Sequence, residues 1–236
     1  RGARGRGDRR RLVEHVQRTI IAAGIPKLGA DEQLVGTGGT IRNLAKIDRK
    51  ANAYPIDRLH GYVLTRARLD TVADQLLAAR PAELRAVRGL NNDRVDSIVG
   101  GALMLQTLME LVGARHVLVS GQGMRDGVAM DRLGAGFPPP AVARRASIAA
   151  VCGRFSTWDA VAAARRAALA AALYAQLVVT ARAEVQEALE FAATALDIGR
   201  SVDHYARHDH AAEIMMAADL VGYSHHDIAF LAAIMY

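Results

Sequence analysis

A chain of 236 residues, 51% hydrophobic and 23% charged, is long enough for one large domain or two modest ones and apolar enough to bury a core. Aromatics at 5% and abundant alanine favour closely packed helices over an all-β fold. Apolar stretches are broken by charge before they could cross a bilayer, no hydrophobic run follows the basic start as a secretory signal would, and a lone cysteine, Cys152, excludes an internal disulfide and fits a reducing cytoplasm.

The net charge of +6 draws partly on the opening RGARGRGDRRR. Without interleaved aromatics, this reads as a flexible basic lead-in over residues 1–11 rather than a specific nucleic-acid arm. The sequence does not begin with methionine, as expected of a piece of a longer protein. Leu12, Val13, Val16, Ile20 and Ile21 then form a helical stripe over residues 10–23 that stops at Gly24. Residues 33–35 read as a short buried strand and residues 41–47 as a helix. A second short strand is expected at 62–64. Thr65 should cap a helix to about residue 79 with Leu69, Val72 and Leu76 on one face, and Pro81 should open a short helix. Residues 93–112 read as one long helix. Gly100 and Gly101 within it point to close packing, because each costs roughly 1 kcal/mol relative to alanine. Residues 116–119 are β-branched and apolar, a buried strand, and GQGMRDG leads into a helix near Met124. Alternating strands and helices make this an α/β layer.

GAGFPPP, residues 134–140, cannot continue a helix and reads as a linker. Beyond it, residues 144–154, 157–179, 183–196, 210–219 and 225–235 are helical, with Ser156 and Ser224 as N-caps. The expected organisation is therefore a lead-in over 1–11, an α/β domain over 12–133, a linker over 134–140 and an all-helical domain over 141–236.

The chemistry starts at LVGTGGTIRNLAKID. A strand, then Gly36, Thr37, Gly38, Gly39 and Thr40, then a helix is an arrangement for holding phosphate. Glycines remove the Cβ that would keep an anion off the backbone N–H groups, threonines add hydroxyl donors, and the helix N-terminus adds positive dipole. The Lys-Ser/Thr ending of a Walker A loop is absent, and so is the usual dinucleotide fingerprint. VLVSGQGMRDGVAMDRL repeats the pattern, with Arg125 and Asp126 at its entry.

In order and spacing, LVGTGGTIRNLAKID, LHGYVLT, RVDSIVGGALML and VLVSGQGMRDGV resemble the second half of the exopolyphosphatase / guanosine pentaphosphate phosphohydrolase (Ppx/GppA) family over roughly residues 10–133. The resemblance implies an RNase H-like domain of the actin-like ATPase superfamily, with Gly36 to Thr40 forming one wall of a phosphate-chain cleft. It implies polyphosphate or guanosine pentaphosphate as substrate, and magnesium or another divalent cation at the complete site. Family members carry a first RNase H-like domain that supplies the facing wall, another phosphate loop and an acidic residue that activates water. Residues 1–33 do not resemble it, so no catalytic base is assigned. Two function classes follow: part of a phosphoanhydride hydrolase completed by a facing domain, or a non-catalytic polyanion-binding module.

TALDIGRSVDHYARHDHAAEIMMAADLVGYSHHDIAFLAAIMY is similar to the HD-like helical domain of longer family members. Leu196 stands where the histidine of the His-Asp pair belongs, which weakens a metal-phosphohydrolase reading. Asp197, His204, His208 and His210 are the residues that would hold a metal, with His204 and His208 sharing a face if helical. Cys152 reads as a small core residue. Alanine-rich helical faces lead to the expectation of a homodimer through this domain; no membrane or specific nucleic-acid partner is expected.

Overall fold

The first apolar stripe stops at Gly24, and so does the first helix. In the computed structural model, which describes residues 6–134, 136–180 and 182–236, α1 spans Arg6–Ala22 and Gly24 takes the left-handed conformation at φ 65°. Residues 1–5 of the arginine-rich start lie outside the described residues. From Arg6 onward the run is helical, four residues ahead of the expected start. Arginine is a good helix former, and Arg11–Asp8 (3.1 Å) and Arg10–Glu14 (3.4 Å) pair along the helix surface.

The chain divides into two compact units, Arg1–Ala135 and Gly136–Tyr236. In the first, β1 (Val35–Gly36), β2 (Val63–Thr65) and β3 (His116–Val119) form a sheet in the order β1-β3-β2. β1 runs parallel to β3, pairing Val35 with Leu118 and Gly36 with Val119; β2 runs antiparallel, pairing Val63 with Leu118 and Thr65 with His116. The period-2 alternation sends Leu64, Val117 and Val119 inward, where they are fully buried, and Val35 and Val63 outward. The first strand is thus shorter and later than expected, and Val35 is exposed. Gly36 takes the inward place because a Cβ there would meet Ile41 at 2.7 Å and Val117 at 2.9 Å.

The core lies between this sheet and α2 (Gly39–Ala51), α3 (Arg66–Ala78) and α5 (Ile98–Val112). Thr65 caps α3 by accepting from the Arg68 N–H, and Leu69, Val72 and Leu76 are buried as their spacing predicts. Pro81 opens α4, Pro81–Leu84. The long helix starts at Ile98 rather than residue 93; a 3-10 turn over Asn92–Arg94 precedes it, and the Ser97 hydroxyl bonds back to the Arg94 carbonyl. Gly101 is a packing glycine, since a Cβ there would run into the Thr40 methyl, while Gly100 leaves room for Leu12 of α1. A buried hydrogen bond of 2.6 Å from the Tyr62 hydroxyl to Asp48, with Arg68 3.8 Å from the same carboxylate, ties the segment entering β2 to α2. α6 (Met124–Arg132) closes the unit and buries none of its residues.

The second unit contains α7 (Pro140–Cys152), α8 (Ala160–Leu177), α9 (Ala183–Ala195), a 3-10 helix (Leu196–Ser201), α10 (Arg207–Ala217) and α11 (His225–Met235). Its core gathers Ile148, Cys152, Phe191, Ile198, Met215, Ile228 and Leu231. Ser224 caps α11 through a reciprocal box with Asp227. Ser156 does not cap α8; Asp159 does, accepting from the Ala162 N–H at 2.6 Å. α10 starts at Arg207, so His204 lies ahead of it, and Gly199 packs directly on the Arg207 carbonyl. Among the described residues no helix is long and apolar enough to cross a membrane.

Candidate functional site

Parallel β1 and β3 end side by side, which brings the two glycine turns together at their carboxyl ends, the edge where open α/β sheets bind ligands. The Ser120 N–H donates to the Gly36 carbonyl at 2.8 Å and carries the ladder one residue past the end of β3. Arg42, half-buried on the first turn of α2, crosses the gap. Its Nε donates to the Gly38 carbonyl at 3.3 Å and its Nη1 to the Gly121 carbonyl at 3.4 Å. One guanidinium therefore fixes the spacing of the two turns.

The first turn follows from its residues. Gly38 sits at φ 94°, a conformation that side-chain-bearing residues rarely adopt, and a Cβ there would meet nothing within 4 Å. Backbone conformation, not crowding, requires this glycine. Gly38 is also the N-cap of α2 and has no side chain to bond the first-turn N–H groups, so the helix presents them without a side-chain cap. Over Gly39 lies Arg94: a Cβ at Gly39 would come within 2.9 Å of its guanidinium. Buried Asn43 holds that arrangement, donating to the Gly39 carbonyl and accepting from the Asn91 N–H, each at 2.8 Å. Thr37 is exposed at the rim, whereas Thr40 turns its methyl to Gly101 and serves packing.

At the second turn, the Gly121 N–H donates to His60 Nδ1 at 3.1 Å, which requires the tautomer with its proton on Nε2. A Cβ at Gly121 would lie 2.9 Å from the His60 Cβ, so glycine permits this approach. Asp126 accepts from the Gly123 N–H at 2.7 Å and closes the start of α6; Arg125 is exposed. The result is a surface of backbone donors, an uncapped helix N-terminus and two guanidiniums, suited to binding an anion with several oxygens.

Sequence reading singled out Gly36 to Thr40, Arg125 and Asp126 and missed Arg42, Asn43, His60 and Arg94. Arg42 and Asn43 stand immediately after the glycine motif, and Arg94 closes GLNNDR, a polar run between two apolar segments. Such positions are visible in the sequence, but their convergence depends on long-range strand pairing.

The helical unit places the metal candidates apart. The Asp197 carboxylate accepts from Arg166 at 2.8 Å, His208 lies 3.5 Å from Asp209, and His210 lies 3.5 Å from Glu213. His204 meets the edge of Tyr205 and precedes the helix that carries His208, so the two do not share a helical face. Among the described residues no group of three or more His, Cys, Asp or Glu is placed to hold a metal ion. Cys152 is fully buried, and burial pushes its thiol up to about 11, leaving it a core residue without thiolate character at neutral pH.

These features define a mixed α/β unit with a small sheet, followed by a helical unit. The chain belongs to the Ppx/GppA phosphatase family: that family's profile matches residues 6–135, and the profile of Ppx/GppA phosphatase domain III matches residues 143–236. Similar solved structures include the Aquifex aeolicus Ppx/GppA family member, at 24% identity and TM-score 0.49 over 56% of this chain and 42% of that one. Another is an exopolyphosphatase from Cytophaga hutchinsonii, at 20% identity and TM-score 0.47 over 58% of this chain and 45% of that one. The chain thus spans less than half the length of these solved relatives. No curated protein matches it.

Proposed function

We propose that the N-terminal unit is the phosphate-binding half of a phosphoanhydride hydrolase, an RNase H-like wall acting on polyphosphate or guanosine pentaphosphate when a facing domain completes the cleft. The observation that carries this reading is the Arg42 bridge, which holds the two glycine turns at a fixed spacing beside the uncapped N-terminus of α2. A phosphate chain offers repeated anionic oxygens, and this surface offers a row of donors. The helical unit, in the same reading, is an HD-like scaffold without a metal centre of its own, and the whole works in the cytoplasm.

The wall does not fit a divalent cation unaided. Magnesium takes oxygen ligands, whereas the two turns offer N–H and guanidinium donors, and Asp126 is turned onto the Gly123 N–H. A catalytic cation would rest on substrate oxygens and on groups beyond this wall. The same lack of a disengaged carboxylate in residues 36–40 and 120–126 favours, as a second reading, a polyanion-binding module without turnover.

Titration of tripolyphosphate into the full chain, with phosphate release followed in parallel, tests both. Binding is expected at low salt and should weaken steeply as salt rises, because arginine–phosphate contacts release counterions. Turnover by this chain should fall far below the ordinary range of about 1–10³ s⁻¹ and rise when a facing family domain is added. Absence of binding at low salt refutes the wall. Ordinary turnover from the chain alone refutes the need for a facing domain. Binding without any rescue favours the second reading.

A further inference from the structure

The cationic surface at the glycine turns does not stop at the start of α2. Arg42, Lys46 and Lys50 recur every four residues, so one side of the helix carries a cation on each turn. The loop that leads from α4 into the 3-10 turn lies along that side. Gly89 permits this approach: it sits at φ 96°, and a Cβ there would meet the Lys46 carbonyl at 2.8 Å. The loop brings Arg94 over Gly39 at one end of the strip, and in its middle the Lys46 Nζ donates to the Asn91 side-chain oxygen at 3.2 Å. At the far end Lys50 and Arg88 border a groove of about 470 Å³, lined also by Ile47, Ala51 and Val87. Eleven residue steps at about 1.5 Å each separate Gly39 from Lys50, so the strip runs for about 16 Å.

Carboxylates offset part of this charge. Asp93 lies 3.3 Å from Arg94 and Asp57 3.6 Å from Lys50, while Glu83, which also borders the groove, is taken by Arg80 at 2.7 Å. Lys46 and Arg88 are the cations left over. Among the described residues Lys46 meets the neutral Asn91 amide and no carboxylate, and exposed Arg88 pairs with no carboxylate either. Both charges stand open to an anion that extends from the turns. Among the described residues no aromatic side chain lines the groove, so nothing there would stack a base. The strip therefore selects repeated negative charge without a base.

We propose that this strip is a chain-length subsite, in which Lys46 and Arg88 hold the run-on phosphates of a linear inorganic polyphosphate whose end is bound at the glycine turns. The inference rests on the phosphate reading of those turns and narrows it. A guanosine pentaphosphate would set its nucleoside where the strip offers cations and no stacking surface, whereas a linear chain presents an anion to each cation in turn.

The experiment compares tripolyphosphate with a long linear polyphosphate by calorimetry on the full chain at low salt. Tripolyphosphate fills the turns but is too short to run the length of the strip. Lys46→Gln and Arg88→Gln should each weaken long-chain binding about two- to fivefold, the range of exposed ion pairs. The double variant should also lower the slope of log affinity against log salt by about 1.4, two contacts at about 0.7 each. Tripolyphosphate binding and the melting temperature should match those of the parent chain, since both changes are on the surface. Arg154→Gln, the same charge change at an exposed position of the helical unit, should alter neither affinity. Unchanged long-chain binding in the double variant overturns the subsite and leaves the reading of the turns standing. An equal loss for tripolyphosphate also overturns it, because the two cations would then belong to the turns themselves. So does a single-stranded oligothymidylate that binds as tightly as the long polyphosphate and loses as much in the double variant, the mark of a general polyanion strip. If neither phosphate binds the parent chain, the reading of the turns fails, and the subsite with it.

Discussion

The turns GTGGT and GQGMRDG read alike in sequence and differ in what stands behind them. α2, after the first, buries Asn43, Leu44, Ala45, Ile47, Asp48 and Arg49; α6, after the second, buries nothing. The first turn leaves its helix N-terminus without a side-chain cap, whereas the second has the Asp126 carboxylate on the Gly123 N–H. Glycine spacing alone therefore does not make a phosphate site. The first turn is rigidly backed and electropositive. The second has a negative charge at its entry and contributes chiefly through Gly121, which anchors both Arg42 and His60. On this view the first turn holds the anion and the second positions the arginine that helps.

The largest effect should come from Gly38→Val. A β-branched residue at φ 94° is a genuine outlier, with local strain of about 1–3 kcal/mol. Because open space surrounds the position, the fold should survive while the loop shifts. Tripolyphosphate binding should fall more than tenfold with the far-UV circular dichroism retained. Gly123→Val is the matched control: its backbone is extended at φ -137°, so a much smaller loss is expected. Equal losses at the two glycines would erase the distinction between the turns.

Arg42→Gln comes next. It removes two hydrogen bonds of 3.3 and 3.4 Å on a half-buried side chain, a stability loss of about 1 kcal/mol, below the usual range for charged donors because the bonds are long and partly exposed. Binding should weaken about fivefold to tenfold if the arginine both spaces the turns and faces the anion. Arg42→Lys should recover little, because an ammonium cannot fork to two carbonyls. Full recovery by lysine would show that charge alone matters and would dissolve the bridge argument.

How far sequence carries this architecture depends on the range of the interaction. Local patterns were legible: the Thr65 cap, the buried face Leu69–Val72–Leu76 and the Ser224 cap all follow from near neighbours along the chain. Errors lay where a distant partner decides. β1 moved by a residue because Gly36 must pass between Ile41 and Val117. α5 began late because Arg94 is drawn into a turn whose neighbour is Gly39. α10 begins at Arg207, three residues ahead of the expected 210, and His204 stays outside it, in a turn where Asp203 accepts from the Tyr205 and Ala206 N–H groups. The glycine motif was visible as a motif, but Arg42, Asn43, His60 and Arg94 converge only through the parallel pairing of strands about eighty residues apart, Val35 with Leu118.

The smallest and most discriminating effect concerns Asp126. Its carboxylate neutralises the start of α6, and Gly123, which it caps, lies two residues from Gly121, a reach of at most about 7 Å. A negative charge at that distance opposes any phosphate bound between the turns. In Asp126→Asn the amide oxygen can still accept from Gly123, so the helix start should persist with a stability loss of about 0.5 kcal/mol, toward the low end for altered caps. Removing the charge should then raise tripolyphosphate affinity about two- to threefold at low salt. The gain should shrink but persist in part near 0.15 M, where the Debye length of about 8 Å still exceeds that reach, and vanish only at higher salt. Asp126→Ala should give a similar gain in binding but a larger stability loss, since the cap is gone. A loss of affinity in both variants would mean that the carboxylate supports the bound anion, through a cation or a shared proton. The second turn would then be a working part of the chemistry rather than the positioning half of a two-turn wall.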